Sequence, residues 1–317
     1  MVTFSSFENN NNNSPFSRNA YGHNFTPNES ASFLSFVDQL QIESELVQTN
    51  LANNNTALAQ EHATRAMELL KTKDPVNNVT WTEEIAENNQ RVADDLKTAV
   101  SNLQNTSSEQ QQPAGQLVND IDAIIGEAVT ARIDQEQRDN ATIQALAFAH
   151  LVDSILRNYG KAYGVGFDMT NMSNMAGMMD MDMGTSMDMM GSNNSSSSMA
   201  MSGMADDNNN SNMNMNMSSS TIMNMDSEMN RNYSLVKTAD YQSAQALAAK
   251  ALEIFKAELK PMASNNNTTA FITNVENGLT QLNNSIRSKA SPMDIMMIVH
   301  SQVHPNLMQA FNLQLQE

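Results

Sequence analysis

The chain has 317 residues, 40% of them hydrophobic and only 5% aromatic, with a formal net charge of -18 and no Cys. The missing Cys excludes disulfides, thiolate metal sites and Cys nucleophiles, and the negative charge repels nucleic-acid phosphate and anionic lipid, so neither is an expected partner. No apolar run reaches the ~18 residues of a membrane span, and the Asn/Ser-rich runs bury too little apolar surface to order, so about two-thirds of the chain is expected to fold.

Residues 1–29 read as a disordered polar arm. A helix is predicted from Ser30 to Leu51, with Phe33, Phe36, Val37, Leu40, Val47 and Leu51 at helical spacing. The next runs from Asn55–Thr56 to about Lys73, where Asp74-Pro75 stops it. Thr80 and Glu83 form a capping box that opens a helix carrying Ile85, Val92, Leu96, Ala99 and Leu103. After a linker at Ser107–Gln112, Pro113 suits the first turn of a helix with Leu117, Ile121, Ile124, Ile125 and Val129. A further segment, capped at Asp139–Asn140, carries Ile143, Leu146, Phe148, Val152, Ile155 and Leu156 and ends near Gly160; with no Gly or Pro between the two, one long helix is the alternative. Helical pattern resumes over Thr238–Lys260 and Thr268–Lys289, and Ser291 caps a last helix that runs to Leu313 with a bend expected at Pro305.

These segments repeat. Ala63-Thr-Arg65-Ala66-Met67-Glu68-Leu69-Leu70 matches Ala248-Ala-Lys250-Ala251-Leu252-Glu253-Ile254-Phe255, and Val92, Leu96, Ala99 and Leu103 keep the spacing of Val275, Leu279, Leu282 and Ile286. The expected fold is all-α, a bundle of about seven helices from two degenerate three-helix units, 30–164 and 234–317.

Between the units, 165–233 has no usable periodicity and reads as a disordered insertion rather than a domain. Nineteen of the 26 Met fall between Met169 and Met229, with seven acids and no Lys, Arg or His. The densest stretch holds Met169, Met172, Met175, Met178, Met179, Met181, Met183, Met187, Met189 and Met190. A thioether is a neutral, soft donor that needs no deprotonation and selects Cu(I) over hard ions. Spacings of one to three residues let two to four sulfurs close on one ion, and the interleaved carboxylates supply compensating charge. Other readings of the tract are an adaptable protein contact, an inert low-complexity expansion, or an oxidant sink through sulfoxide formation. The clustered Met-x-x-Met and Met-Asp-Met steps resemble those of extracytoplasmic copper-handling proteins; those families often add His, and its absence here points to Cu(I) rather than Cu(II).

Of five His, His300 and His304 are four apart, a spacing that puts both on one helical face and suits a metal, although no Glu follows the first as in zinc proteases. His62 and His150 read as structural, and whether these four His meet is open. Glu83–Glu84 and Asp94–Asp95 read as solvated helix faces. No phosphate loop, nucleophile elbow or Ser/His/Asp signature is present, so no enzyme is expected. The chain carries 16 Asn-x-Ser/Thr sequons against roughly 7 expected by chance. That excess favours a glycosylated extracytoplasmic or cell-surface location, with a signal or anchor outside this chain because Met1–Phe7 does not read as one; Asn-rich drift in a cytoplasmic protein is the alternative.

Finally, Tyr241-Gln-Ser-Ala244, then Ala248, Ala251, Glu253, Phe255, Glu258 and Pro261, and then Val275-Glu276, Leu279, Leu282, Ile286 and Lys289-Ala-Ser-Pro292 resemble the extracytoplasmic helical domain that accompanies high-affinity iron permeases. The likeness covers about 75 residues well and, through the duplication, a weaker stretch around 56–130. It implies a helical bundle outside the membrane that handles metal near a transporter, with iron as a second candidate ion and Glu253, Glu258 and Glu276 as candidate ligands. The permease itself, with its membrane spans, is not part of this sequence, and Lys256 stands where the resemblance implies an acid. The function expected is therefore a metal-binding protein, most simply a Cu(I) scavenger or delivery module; the rivals are a structural or adhesive glycoprotein and a helical accessory module of a metal transporter.

Overall fold

The computed structural model describes residues 28–106, 111–171, 233–263 and 268–314. Nine helices account for nearly all of them, with no strand beyond an isolated bridge between Lys73 and Thr80. In chain order they are α1 (Glu29–Ala52), α2 (Thr56–Lys71), α3 (Trp81–Gln104), α4 (Gln111–Arg132), α5 (Gln135–Arg138), α6 (Ala141–Ala162), α7 (Thr238–Ile254, continued to Met262), α8 (Thr269–Arg287) and α9 (Pro292–Ile298, continued to Phe311). The all-α bundle expected from periodicity is the fold observed.

Local chemistry sets the boundaries. Asn28, Asn55, Asp134, Asn140 and Ser291 each accept a backbone N–H of the turn they open, and Thr80 with Glu83 makes the capping box. Asp134 and Asn140 also answer the question left between α4 and α6. Their caps satisfy two fresh sets of first-turn N–H groups, so the chain breaks at Ile133 and Asp139 instead of running through as one helix. Two prolines leave a common mark. Phe255–Leu259 in α7 and Val299–Val303 in α9 are π-helical turns, and Pro261 and Pro305 each follow two residues after. A proline lacks the N–H for its own i→i-4 bond and crowds that carbonyl, so one wide turn absorbs the misfit and the helix continues.

The packing order occurs twice. Helix α1 packs on α2, α3 and α4; α6 packs on α7 and α9, and α8 fills against both of those. Residues 30–164, read from the sequence as the first unit, thus divide: α1 joins α2, α3 and α4, whereas α6 packs with the helices of the second unit. The first core is built on Phe33, Phe36, Leu40, Trp81, Leu96, Leu103 and Ile121, with the Phe36 and Trp81 rings stacked at 4.9 Å. In the second, Phe148 meets Phe255 at 5.9 Å, and the Tyr159 and Tyr241 hydroxyls donate to the Ala290 and Ile286 carbonyls at 2.6 and 2.8 Å. The groups meet along α1, α6 and α7. The described residues form one compact unit.

Glu84 corrects the sequence reading of a solvated face. It is 1% exposed, ion-paired to Arg132 and hydrogen-bonded by Asn77 at 3.2 Å. Burial outweighs the guanidinium and pushes its carboxyl up to about 7. Its neighbour Glu83 is exposed and spent on the cap. Adjacent positions on a helix lie about 100° apart, so one acid can face solvent while the next faces the core.

Candidate metal site at the root of the methionine segment

Helix α6 ends with Tyr163 as its C-cap and Gly164 at φ 63°, the left-handed residue that turns the chain off the helix. The chain next lays Met169 back along α6. Its sulfur lies 2.9 Å from where a Cβ would stand on Gly160, so the missing side chain there is what admits it, and Met169 is 1% exposed. Asp168 accepts from both the backbone N–H and the hydroxyl of Thr170, closing a turn at the point of departure. The return is tied to the same place: Val236 and Lys237 both donate their backbone N–H to the Ala162 carbonyl, at 2.8 and 3.1 Å.

From the other side, α9 brings its two His to this root. His300 donates from Nε2 to the Met169 carbonyl at 3.0 Å. His304 places Nε2 3.6 Å from the Asp153 carboxylate of α6, and the two imidazoles meet edge-on at 5.5 Å. All three polar side chains are buried: His300 is 5% exposed, His304 0% and Asp153 8%. Burial pushes the Asp153 carboxyl up to about 7 against the pull of Arg157, and it lowers His300 in spite of its carbonyl partner. One turn back on α6, burial and then Arg157 bring His150 down to about 4. Burial thus disfavours the charged forms of Asp153, His300 and His150.

Three of the residues singled out in the sequence, Met169, His300 and His304, therefore converge with Asp153. Their atoms hold the segment's first residues to the bundle: the His300 Nε2 is committed to a carbonyl and the Met169 sulfur to the α6 surface. Among the described residues no group of three or more His, Asp or Glu is arranged to hold a metal ion. Met172, Met175, Met178, Met179, Met181, Met183, Met187, Met189 and Met190 lie outside the described residues. The acids implied by the permease resemblance sit apart from this root. Glu276 is held below the ordinary carboxylate range by Lys260 at 2.7 Å, Glu253 pairs with Lys250 at 3.7 Å, and Glu258 is exposed on the π-turn of α7.

His62 belongs to a different cluster. Nδ1 meets Glu43 Oε2 at 2.7 Å and Nε2 meets Gln242 Oε1 at 2.8 Å, so both ring nitrogens are engaged and the four-His convergence does not form. Ser243 donates to the other Glu43 oxygen at 2.6 Å, and Arg65 pairs with Asp240 at 2.6 Å. These contacts stitch α1 and α2 to α7 across the line where the two helix groups meet. Sequence reading missed Glu43 and Asp240, and it did not pair Asp153 with His304. The available signal was an acid set inside an apolar helical face, as in Leu151-Val152-Asp153-Ser154-Ile155-Leu156.

Several sequon Asn have conformational work of their own. Asn28 and Asn140 cap helices, Asn105 is the C-cap of α3, and Asn54 and Asn78 adopt φ of 57° and 64°. Asn is preferred at caps and tolerates the left-handed region, so helix punctuation accounts for part of the sequon excess. Among the described residues no helix is long and apolar enough to cross a membrane. No protein-family model matches the chain, and comparison with curated proteins and with solved structures finds no match.

Proposed function

We propose that this chain is an extracytoplasmic metal-binding protein that captures Cu(I) through the thioethers of its Met-rich segment, with the helical bundle as scaffold. One observation carries the reading. Where α1 passes to α2 in three residues, Asn53–Asn55, the corresponding passage from α6 to α7 holds an insertion with 18 Met between Met172 and Met229 and no Lys, Arg or His. The chain is held on either side of that insertion, by the His300 contact to the Met169 carbonyl where it departs and by the Val236 and Lys237 hydrogen bonds to Ala162 where it returns, and an insertion between two anchored points is accommodated without cost to the bundle. At three or four sulfurs per ion its 18 Met suffice for about four to six Cu(I). The resemblances to copper-handling Met tracts and to the domain beside iron permeases support metal handling next to a membrane transporter, with iron as the second ion. The sequon excess supports an exterior location.

The test is a Cu(I) titration under reducing conditions against a chromophoric Cu(I) chelator. The intact chain is compared with a variant in which 172–229 is replaced by a short Gly/Ser linker. The intact chain is expected to withdraw several Cu(I) and the shortened one none, with equal helical content in both. Equal uptake by the two proteins would refute capture by the segment.

A further inference from the structure

Independently of metal capture, the α2–α3 loop buries two acids against each other. Asp74 stands in the loop and Glu84 in the first turn of α3, and each is 1% exposed. The loop is built to put Asp74 there. Its backbone N–H donates to the Val79 carbonyl at 2.8 Å, its own carbonyl accepts from Asn78 at 2.9 Å, and its Oδ1 accepts from the Val76 N–H at 3.0 Å. Asn78, at φ 64°, is the left-handed residue that lets the loop close. The Asp74 and Glu84 side chains then meet in a hydrogen bond.

The charges around this pair do not balance if both acids are ionised. Arg132, at the end of α4, meets Glu84 Oε1 through Nη2, and the same nitrogen lies 3.9 Å from Glu29 of α1. Its Nε is buried and meets no acceptor among the described residues. One guanidinium therefore serves two acids before Asp74 is counted. Asn77 donates from Nδ2 to the same Glu84 oxygen at 3.2 Å. The cation next to Asp74 in the chain, Lys73, is exposed and acts on the exposed Glu83 instead. Asp74 Oδ2 and Glu84 Oε2 are left buried, and among the described residues neither accepts from an amide, hydroxyl or guanidinium. Two carboxylates have no hydrogen to put between them, whereas a carboxyl and a carboxylate join through one proton.

We propose that Asp74 and Glu84 share one buried proton and that this proton latches the α2–α3 loop: it closes the loop on α3 and α4 in acid and leaves toward alkaline pH, when two like charges in one dry site push the loop away. Burial, working against Arg132, raises both carboxyls, Glu84 to about 7 with Asp74 adding to the rise. The acids are coupled, so the proton belongs to the pair. Their folded values lie above the unfolded ones of 3.8 and 4.5, so the stability the proton contributes is complete at about pH 4 and is lost as pH rises through about 7. The latch sits over the first core. Arg132 lies above the Phe33 ring at 5.0 Å, and Trp81 stacks on Phe36 at 4.9 Å while its backbone N–H donates to the Thr72 carbonyl at 3.1 Å. Loosening the loop therefore reaches Trp81.

Trp81 is the only Trp of the chain, so its emission reads the latch locally. The experiment follows Trp81 fluorescence of the full chain from about pH 5 to about pH 9, with far-ultraviolet circular dichroism as the check that it stays folded. A one-proton step centred near pH 7 is expected at constant helical content. Asp74→Asn puts a permanent N–H donor where the proton sits, so the step should vanish. In urea, the ratio of the parent's unfolding constant to that of Asp74→Asn should be at least about tenfold larger at about pH 8 than at about pH 5. Other raised acids, Asp38 and Asp153 among them, are common to both proteins and cancel in that ratio. Glu84→Gln places the amide on the other partner and should lose the step as well. Absence of the step in the parent, or an undiminished step in either variant, would overturn the proposal.

Discussion

Replacing Glu43 by Ala probes the seam between the two helix groups. Glu43 is 5% exposed and His62 is 0% exposed. The carboxylate accepts from Ser243 at 2.6 Å and contacts His62 at 2.7 Å. Removing it strands the His62 nitrogen in a site that water does not reach. Ser243 is partly rescued, since its hydroxyl also reaches the Ala239 carbonyl at 3.1 Å. A stranded buried polar group costs about 1–3 kcal/mol. With Ser243 rescued and the His62 nitrogen stranded, a loss of about 2 kcal/mol is expected. For a folded unit of this size that lowers the unfolding midpoint by on the order of 5 °C. Glu43→Gln keeps an acceptor oxygen and should lose about half as much. Urea unfolding followed by far-ultraviolet circular dichroism measures both, and a double-mutant cycle with His62→Ala should return a coupling of about 1 kcal/mol or more. A loss below about 1 kcal/mol in Glu43→Ala, or additive effects of the two changes, would refute the view that this cluster holds the groups together.

Gly126 lies on the exposed side of α4 with nothing within 4 Å of an added Cβ, so Gly126→Ala should stabilise the fold by about 0.5–1 kcal/mol, measurable in the same unfolding assay. Gly278 is the opposite case: a Cβ there would meet Val303 at 3.1 Å and Gln302 at 3.2 Å, so Gly278→Leu should wedge α8 from the π-turn of α9 and cost about 1–3 kcal/mol. Gly160→Leu should displace Met169 and break its tie to His300, read as faster proteolytic cleavage within 163–171 while the helical content is kept. The Asp153 carboxyl is raised to about 7, above its unfolded value of 3.8, so its proton contributes stability that is complete at about pH 4 and is lost as pH rises through 7. Asp153→Asn should therefore gain on the parent between about pH 4 and about pH 8, and parallel stability curves for the two proteins would contradict that assignment.

Helix positions were legible because they depend on near neighbours. Apolar spacing in Phe33–Leu51 or Val92–Leu103, and caps such as Thr80–Glu83 and Ser291, are written within a few residues and survive into the fold. The site was less legible. His300 and His304 are visible as a pair at helical spacing, but their partners Asp153 and Met169 lie 151 and 131 positions away. Glu84 read as solvated because its charge suggested water, whereas Arg132 from α4 covers it.

The sequence by itself determined an all-helical chain, a repeated helix pattern and a Cys-free, Met-rich segment, since periodicity and composition are properties of short windows. Only the tertiary structure decided that each repeat has four helices, that α6 and α7 are tied at Ala162, and that His62 is withdrawn from the other histidines into the seam. Those outcomes depend on which faces are left to bury one another once the helices exist, and long-range packing decides that. The Met-rich segment keeps its proposed chemistry in its composition, but its attachment is tertiary. Gly160 makes room for Met169, and His300 holds its carbonyl from the far end of the chain.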